Sequence, residues 1–568
     1  MATAEKFAKT LTTELDSKGR DTAKTNFATA GGPPDKMYIS PNQAIPIVFV
    51  PGIMGSPLIA TGKDNKNVFD KQKGWAWFPD SWDWVGITGK GYNNLSPAQR
   101  KVLLDPATTK AIDKPSEADV ETLNDFLKGK TFPFEEARRR GWGSVMITSY
   151  GNILNFLENQ LRFIFYQGHP YPGTYQAIPG DPSSWGELDG YEKLDEPQLR
   201  KAAAWRYPVY AVGYNWLRSN RDAAEHLKIK VEEILDDCRT RMNLKCEQVI
   251  LVSHSMGGLV TRMYAKNNPD RVLGVVHGVQ PATGAGTAYR RVRAGWEDFV
   301  GALSIGSNAG EVAPVFANGA GPMELLPNHL YGNGWLRAVW DKGRNSQTLF
   351  TLPTNGDPYN EIYRRTDTWW RLFDPTWVTA GLTSDRDISK GVRQHKQQLT
   401  EAESFHRDLG NYYHPNTFTH YGADEGKKAF HQITWRLSPL RDLQTGLTAL
   451  PPNSEIAKNL RRTRDDLEGI CDLFRVPDSK AQVMYRDARG IGVTAKDPGD
   501  AYRATLDGQD NAGDGTVPGH SGQAPSTHSK FCAKMKGFGH QESYADPKVQ
   551  ALTLYSILKL AQTAKVIA

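Results

Sequence analysis

Cysteine is scarce, with only Cys238, Cys246, Cys471 and Cys532 among 568 residues. None stands at metal-ligand spacing, and so few cannot frame a disulfide-stapled fold. A Cys238–Cys246 bridge is conceivable, but free buried thiols are the expectation. Long apolar runs are missing too: no stretch reaches the roughly 18 residues a membrane-spanning helix needs. The N-terminal MATAEKFAKTLTTELDSKGRD has no continuous apolar core and no small-residue cleavage site, so no secretory signal peptide is expected. Charge of one sign is lacking as well. Lys and Arg number 69 against 63 Asp and Glu, a net charge of +6 spread along the chain, and no nucleic-acid partner is expected. The short run Arg138-Arg139-Arg140 suits a solvated helix face at least as well as an anionic membrane surface. His406, His414, His420 and His431 fall within one region but match no compact ligand spacing. No metal site and no cofactor is expected; calcium is possible, with nothing in the sequence pointing to it.

Hydrophobic residues make up 39% and charged residues 23% of the chain, the balance of a globular protein. The length calls for one elaborated domain or two. The most telling stretch is QVILVSHSMGGLVTRMYAK, residues 248–266. Val249–Val252 is an apolar, β-branched run suited to a buried parallel strand. Gly257 and Gly258 follow Ser255, and Leu259, Met263 and Tyr264 then recur at helical spacing. Strand, tight turn and helix around a small-x-Ser-x-Gly pattern make a nucleophile elbow. The small residues are needed because strand and helix backbones nearly touch there. Ser253 stands where glycine is commoner, a mild steric departure.

The spacing predicts an α/β fold with a mostly parallel central sheet flanked by helices. Residues 1–42 read as a polar arm. Ile45–Val50 is a buried strand that ends in Pro51-Gly52-Ile53-Met54-Gly55-Ser56, a glycine turn able to present backbone N–H groups. Strand and helix then alternate: a helix over Asn152–Tyr166, a strand over Pro208–Val212, a helix carrying Leu227, Val231, Ile234 and Leu235, and a strand over Val272–Val279. The core is thus expected over 43–284, with an insertion at about 60–200. From 285 to 500 the pattern turns polar, aromatic and irregular, with helices expected at 394–412 and 454–475, and the region reads as an inserted cap or lid. The core resumes over 501–568 with a strand at Phe531–Met535 and a last helix opened by Asp546-Pro547. Fifteen tryptophans are many, and Trp75, Trp77, Trp82 and Trp84 form a candidate membrane-contacting aromatic patch or a core cluster.

A serine hydroxyl needs a base for its proton, a carboxylate to hold the base's tautomer, and donors for the oxyanion. In this fold they follow in the order serine, acid, histidine, each expected at the C-terminal end of a strand. Ser255, Asp514 and His540 satisfy that order. Asp514 competes with Asp507 and Asp510 but has flanking glycines that let the backbone turn. His540 competes with His520 and His528 but has a strand before it and a helix after. The expected oxyanion donors are the N–H groups of Met256 and Ile53, with Met54 in reserve.

Three motifs, VPGIMGSPL at 50–58, VSHSMGGLV at 252–260 and GDGTVP at 513–518, carry a resemblance to serine lipases of the α/β-hydrolase superfamily. The nearest branch is the lecithin:cholesterol acyltransferase-like and GPI-inositol-deacylase-like lipases, with YNWLRSN at 214–220 in weaker support. The same core with a large insertion, no signal peptide and HQESY at 540–544 is similar to bacterial type VI secretion lipase effectors. The resemblance implies a lipase or phospholipase that cleaves acyl esters of membrane glycerolipids through an acyl-enzyme. It further implies transient membrane contact, export from the cytoplasm by a signal-independent route, an immunity protein and a secretion-spike partner. The alternatives are an intracellular lipid acyltransferase and a non-catalytic binding protein of hydrolase fold.

Overall fold

The computed structural model describes residues 41–567 apart from 67, 69–73, 86–90, 167–168, 171–181, 298–304, 342–345, 381, 383, 440–449, 451–453, 466 and 476–500. It also describes residues 13–15 and 21–23, which pair as a short antiparallel ribbon. Most of the expected polar arm over 1–42 lies outside the described residues.

Among the described residues, seven strands form the central sheet: β1 Ile47–Val50, β2 Glu187–Asp189, β3 Val209–Ala211, β4 Val249–His254, β5 Val272–Gly278, β6 Thr417–Gly422 and β7 Phe531–Met535. Their spatial order is β3-β1-β4-β5-β6-β7-β2. Every neighbouring pair is parallel except β7 with β2. All six residues of β4 are buried, and their alternation assigns them to two layers. Val249 and Leu251 pack with Leu227, Val231 and Leu235 of α2 (Asn220–Thr240) and Leu259 and Met263 of α3 (Gly257–Asn267). Ile250 and Val252 pack with Ile153, Leu154 and Leu157 of α1 (Ile147–Arg162) and Leu552 of α4 (Pro547–Ala561). A strand covered on both faces has no polar side to show, which is why β1, β4 and β5 read as unbroken apolar runs.

Several boundaries differ from the sequence reading. Helix α1 starts at Ile147, not Asn152, because the Ile147 N–H is met by the Asp80 carboxylate at 2.7 Å. A cap supplied from a distant residue leaves no local signal. Residues 454–475 are not a helix. Only Glu455–Lys458 is helical, and Arg461–Asp465 and Ile470–Phe474 form an antiparallel pair around Gly469, whose φ of 91° turns the chain back. The expected helix over 394–412 is longer, spanning Asp385–Leu409.

The insert over 285–500 is also not continuous, since β6 returns from it to the central sheet. Thr417–Gly422 (TFTHYG) carries too few aliphatic side chains to read as a core strand, yet all six residues are buried. Among the described residues, a second, six-stranded sheet follows the order 347–352, 336–340, 433–439, 501–506, 470–474, 461–465. Residues 501–506 therefore belong to that sheet and not to the core. The insertion near 60–200 likewise contributes α1 and β2 to the core, beside a small sheet of Leu58–Ala60, Trp75–Trp77 and Thr109–Ala111. Of the four tryptophans read as a candidate patch, Trp75, Trp77 and Trp84 are buried there, and the Trp82 side chain lies outside the described residues. Trp77 packs edge-on against Trp84, Tyr92 and Trp216.

Candidate active site

Ser255 directly follows β4, and its φ of 52° places a non-glycine residue in the left-handed region. That conformation costs about 1 kcal/mol or more and persists only where the surroundings enforce it. Here they do. A Cβ on Gly257 would lie 2.4 Å from the Pro51 carbonyl oxygen and 2.5 Å from that of Val50, so the start of α3 touches the end of β1. Ser253 is buried with its hydroxyl 3.0 Å from His277 Nδ1, and its carbonyl accepts from the Tyr544 hydroxyl at 3.0 Å.

The structure brings Ser255, His540 and Asp514 together. His540 Nε2 stands 2.8 Å from Ser255 Oγ, and His540 Nδ1 stands 2.8 Å from Asp514 Oδ2. The other carboxylate oxygen of Asp514 accepts from the N–H groups of Thr516 at 3.0 Å and Val517 at 2.7 Å. Asp514 is 2% exposed and Ser255 4%, so the array is screened from bulk water. His540 follows β7 in the glycine-flanked loop Lys536–Gly539. Asp514 does not end a core strand as expected. It follows Asn511–Gly513, which pairs with Asp424–Ala429 outside the central sheet. Its link to the core is steric: a Cβ on Gly422, the last residue of β6, would lie 2.7 Å from Asp514 Cβ.

The rival residues are engaged elsewhere. Asp507 pairs with Arg436 at 2.7 Å, and Asp510 accepts from the His431 N–H at 2.8 Å. His520 Nε2 lies 2.9 Å from the Tyr331 carbonyl, and His528 Nε2 lies 2.6 Å from Asn411 Nδ2. His406 sits between the Tyr359 hydroxyl at 2.6 Å and the Glu324 carbonyl at 2.9 Å.

The backbone N–H groups of Ile53, Met54 and Met256 donate to no acceptor among the described residues. The turn that bears the first two is closed by a bond from the Gly55 N–H to the Gly52 carbonyl at 3.1 Å. Met54 has a φ of 63°, and its carbonyl accepts from Trp77 Nε1 at 2.7 Å. Two side chains escaped the sequence reading: Tyr150 on α1, and His254 beside Ser255. Burial, reinforced by the nearby His540, pushes the His254 imidazole down to about 3. For Tyr150 there was no local signal, because it occupies an ordinary core position of an amphipathic helix.

A mostly parallel sheet between two helical layers, with a strained serine at the turn from β4 into α3, defines an α/β-hydrolase fold. The comparisons agree. The model of the Alpha/beta hydrolase family matches residues 172–416, a span that includes Ser255 and ends before Asp514 and His540. Among solved structures, the chain is similar to one described as the crystal structure of the Tle4-Tli4 complex, at 28% identity and a TM-score of 0.71, over 92% of this chain and 99% of that one. Two others match at TM-scores too low to bear on function. The rice cell wall degrading esterase LipA from Xanthomonas oryzae has 13% identity, a TM-score of 0.19, and coverage of 42% of this chain and 61% of that one. Phospholipase PlaB from Legionella pneumophila has 11% identity, a TM-score of 0.16, and coverage of 62% and 88%. No curated protein matches the chain.

Proposed function

We propose that the chain is a serine acyl hydrolase of the lipase or phospholipase A type, acting on glycerolipids of a target cell's membrane. The observation that carries this reading is the continuous line from Asp514 through His540 to Ser255, ending beside three free N–H donors. In the first half-reaction His540 Nε2 takes the Ser255 proton as Oγ attacks the ester carbonyl. The N–H groups of Met256 and Ile53 receive the oxyanion, and Asp514 keeps the opposite proton on Nδ1. The imidazolium returns its proton to the leaving alcohol, and water then attacks the acyl-enzyme by the same route. No cofactor enters these steps.

The lipid substrate is supported by the three motifs shared with acyltransferase-like lipases. Likeness to the Tle4 chain, itself crystallised in a complex with Tli4, supports an exported antibacterial effector with an immunity partner. Fatty-acid release from phosphatidylethanolamine/phosphatidylglycerol vesicles by the wild type and by Ser255→Ala tests the substrate. The wild type should free acyl chains and the variant none. Cleavage of p-nitrophenyl butyrate without any release from vesicles would leave a hydrolase and sink the lipid assignment.

A further inference from the structure

Helix α1 sends the Tyr150 side chain to the back of the glycine turn. The residue is fully buried, and besides the Gln541 side chain its hydroxyl meets two groups close to Ser255. The N–H of Gly52 donates to it at 3.2 Å, and His254 Nδ1 lies 3.0 Å away. The other nitrogen of that ring, Nε2, is 2.9 Å from the backbone carbonyl of His540. What each atom can do settles the protons. A carbonyl oxygen only accepts, so Nε2 carries the hydrogen. A neutral imidazole then has a lone pair on Nδ1, so the Tyr150 O–H donates to it. The result is one directed chain: Gly52 N–H to Tyr150 O–H to His254, and His254 Nε2–H to the His540 carbonyl.

Neutrality of His254 follows from its surroundings. Its ring faces Tyr150, Tyr544, His540 and His420, none of them a carboxylate. The His254 and His540 rings are 5.1 Å apart between centroids, so a charge on one opposes a charge on the other. The turn rests directly on this chain. A Cβ on Gly52 would lie 2.8 Å from His254 Nδ1 and 3.0 Å from Ser255 Cβ, and one on Gly55 would lie 2.7 Å from the Tyr150 hydroxyl.

We propose that Tyr150 and His254 are positioning residues that tie the turn presenting the Ile53 N–H to the main chain of His540, so that oxyanion donor and base keep a fixed separation. The proposal rests on the acyl-hydrolase reading. The two segments it joins come from opposite ends of the chain and share no core strand pair. A displacement of about 1 Å in such an array can cost about 100-fold in rate.

The test uses the full chain as wild type, Tyr150→Phe, His254→Leu and His254→Gln. Each is assayed on p-nitrophenyl butyrate, with rates expressed per Ser255 counted by fluorophosphonate titration. Tyr150→Phe and His254→Leu should lower kcat about 10- to 100-fold with KM changed less than about twofold. His254→Gln keeps one acceptor and one N–H donor and should recover most of the loss seen with leucine. Unchanged kcat in the phenylalanine or leucine variant, or a glutamine variant as slow as leucine, would overturn the proposal. A second readout is independent of turnover. In histidine-selective 15N NMR of the wild type, the His254 signals, assigned by their loss in His254→Gln, should show the Nε2–H tautomer without titration from pH 5 to 8. A titrating ring or the Nδ1–H tautomer would overturn the chain even in an active enzyme. If the wild type cleaves no ester, the hydrolase reading falls, and the tautomer still decides the hydrogen-bond chain.

Discussion

Asp514 holds His540 twice: its carboxylate lies 2.8 Å from the ring Nδ1, and its backbone carbonyl accepts the His540 N–H at 2.8 Å. The residue that orients the imidazole thus also anchors the loop from which the imidazole projects. Asp514→Asn separates the two roles. The backbone bond survives, but the amide oxygen must serve the Thr516 and Val517 N–H groups, which turns the NH2 toward His540. Nδ1 then becomes an acceptor and Nε2 a donor, the wrong tautomer for a base. The expected loss in kcat is about 10⁴-fold near neutral pH with little change in fold, checked by ester hydrolysis alongside circular dichroism.

Gly257→Ala should fail by collision. The new methyl would meet two backbone carbonyl oxygens at 2.4 and 2.5 Å, and neither can swing aside as a side-chain end could. A destabilisation of about 3 kcal/mol is expected, read from urea denaturation. A midpoint equal to the wild type's would mean that α3 and β1 are less closely apposed than the structure has them.

Trp77 separates packing from positioning. Trp77→Ala removes a side chain that is 1% exposed and should cost about 3–5 kcal/mol. Trp77→Phe keeps an aromatic ring but loses the N–H that donates to the Met54 carbonyl. It should lower kcat by several-fold while costing much less stability. If either variant instead altered vesicle binding and nothing else, the tryptophans would be a membrane contact after all.

Glu324 governs a pH dependence of stability. Burial pushes its carboxyl up to about 8, against the opposing bonds from the Ser219 hydroxyl and from the N–H and side-chain amide of Asn220. Between its ordinary value near 4.5 and 8 the folded chain holds a proton that the unfolded chain has released. Stability from this group is therefore complete below that window and declines as pH rises through it, by up to about 1.4 kcal/mol per pH unit. Glu324→Gln, which resembles the protonated acid in shape and hydrogen bonding, should flatten the fall in Tm between pH 6 and 8. A wild-type Tm that rises over that range would show that the three donors keep the group ionised.

Legibility in the sequence followed the physics of each element. Strands β1, β4, β5 and β7 could be read because burial on both faces, or in β7, one strand in from the sheet's edge, alternation, writes itself into consecutive residues. Asp546 could be read as a cap because its side chain meets the Lys548 N–H two residues on, at 2.7 Å. The start of α1 could not, since Asp80 caps it from far away in the chain. Strand β6 stayed hidden because its neighbours on both sides supply the apolar contact that its own threonines and histidine do not. The three residues at the site were legible through local turn chemistry. Their support by Tyr150 and Trp77 depends on which distant segments come to rest on one turn, and no local pattern encodes that.

The interruption of the central sheet has a consequence for biosynthesis. The hydroxyl and the imidazole that meet at its rim are 285 positions apart in the chain, and strands β6 and β7 must dock before they can approach each other. Because pairing across such separations comes late in folding, a nascent chain emerging from the ribosome carries its serine long before it has a base. A translation product cut short before β7 would therefore hold Ser255 without the imidazole that meets it in the finished polypeptide.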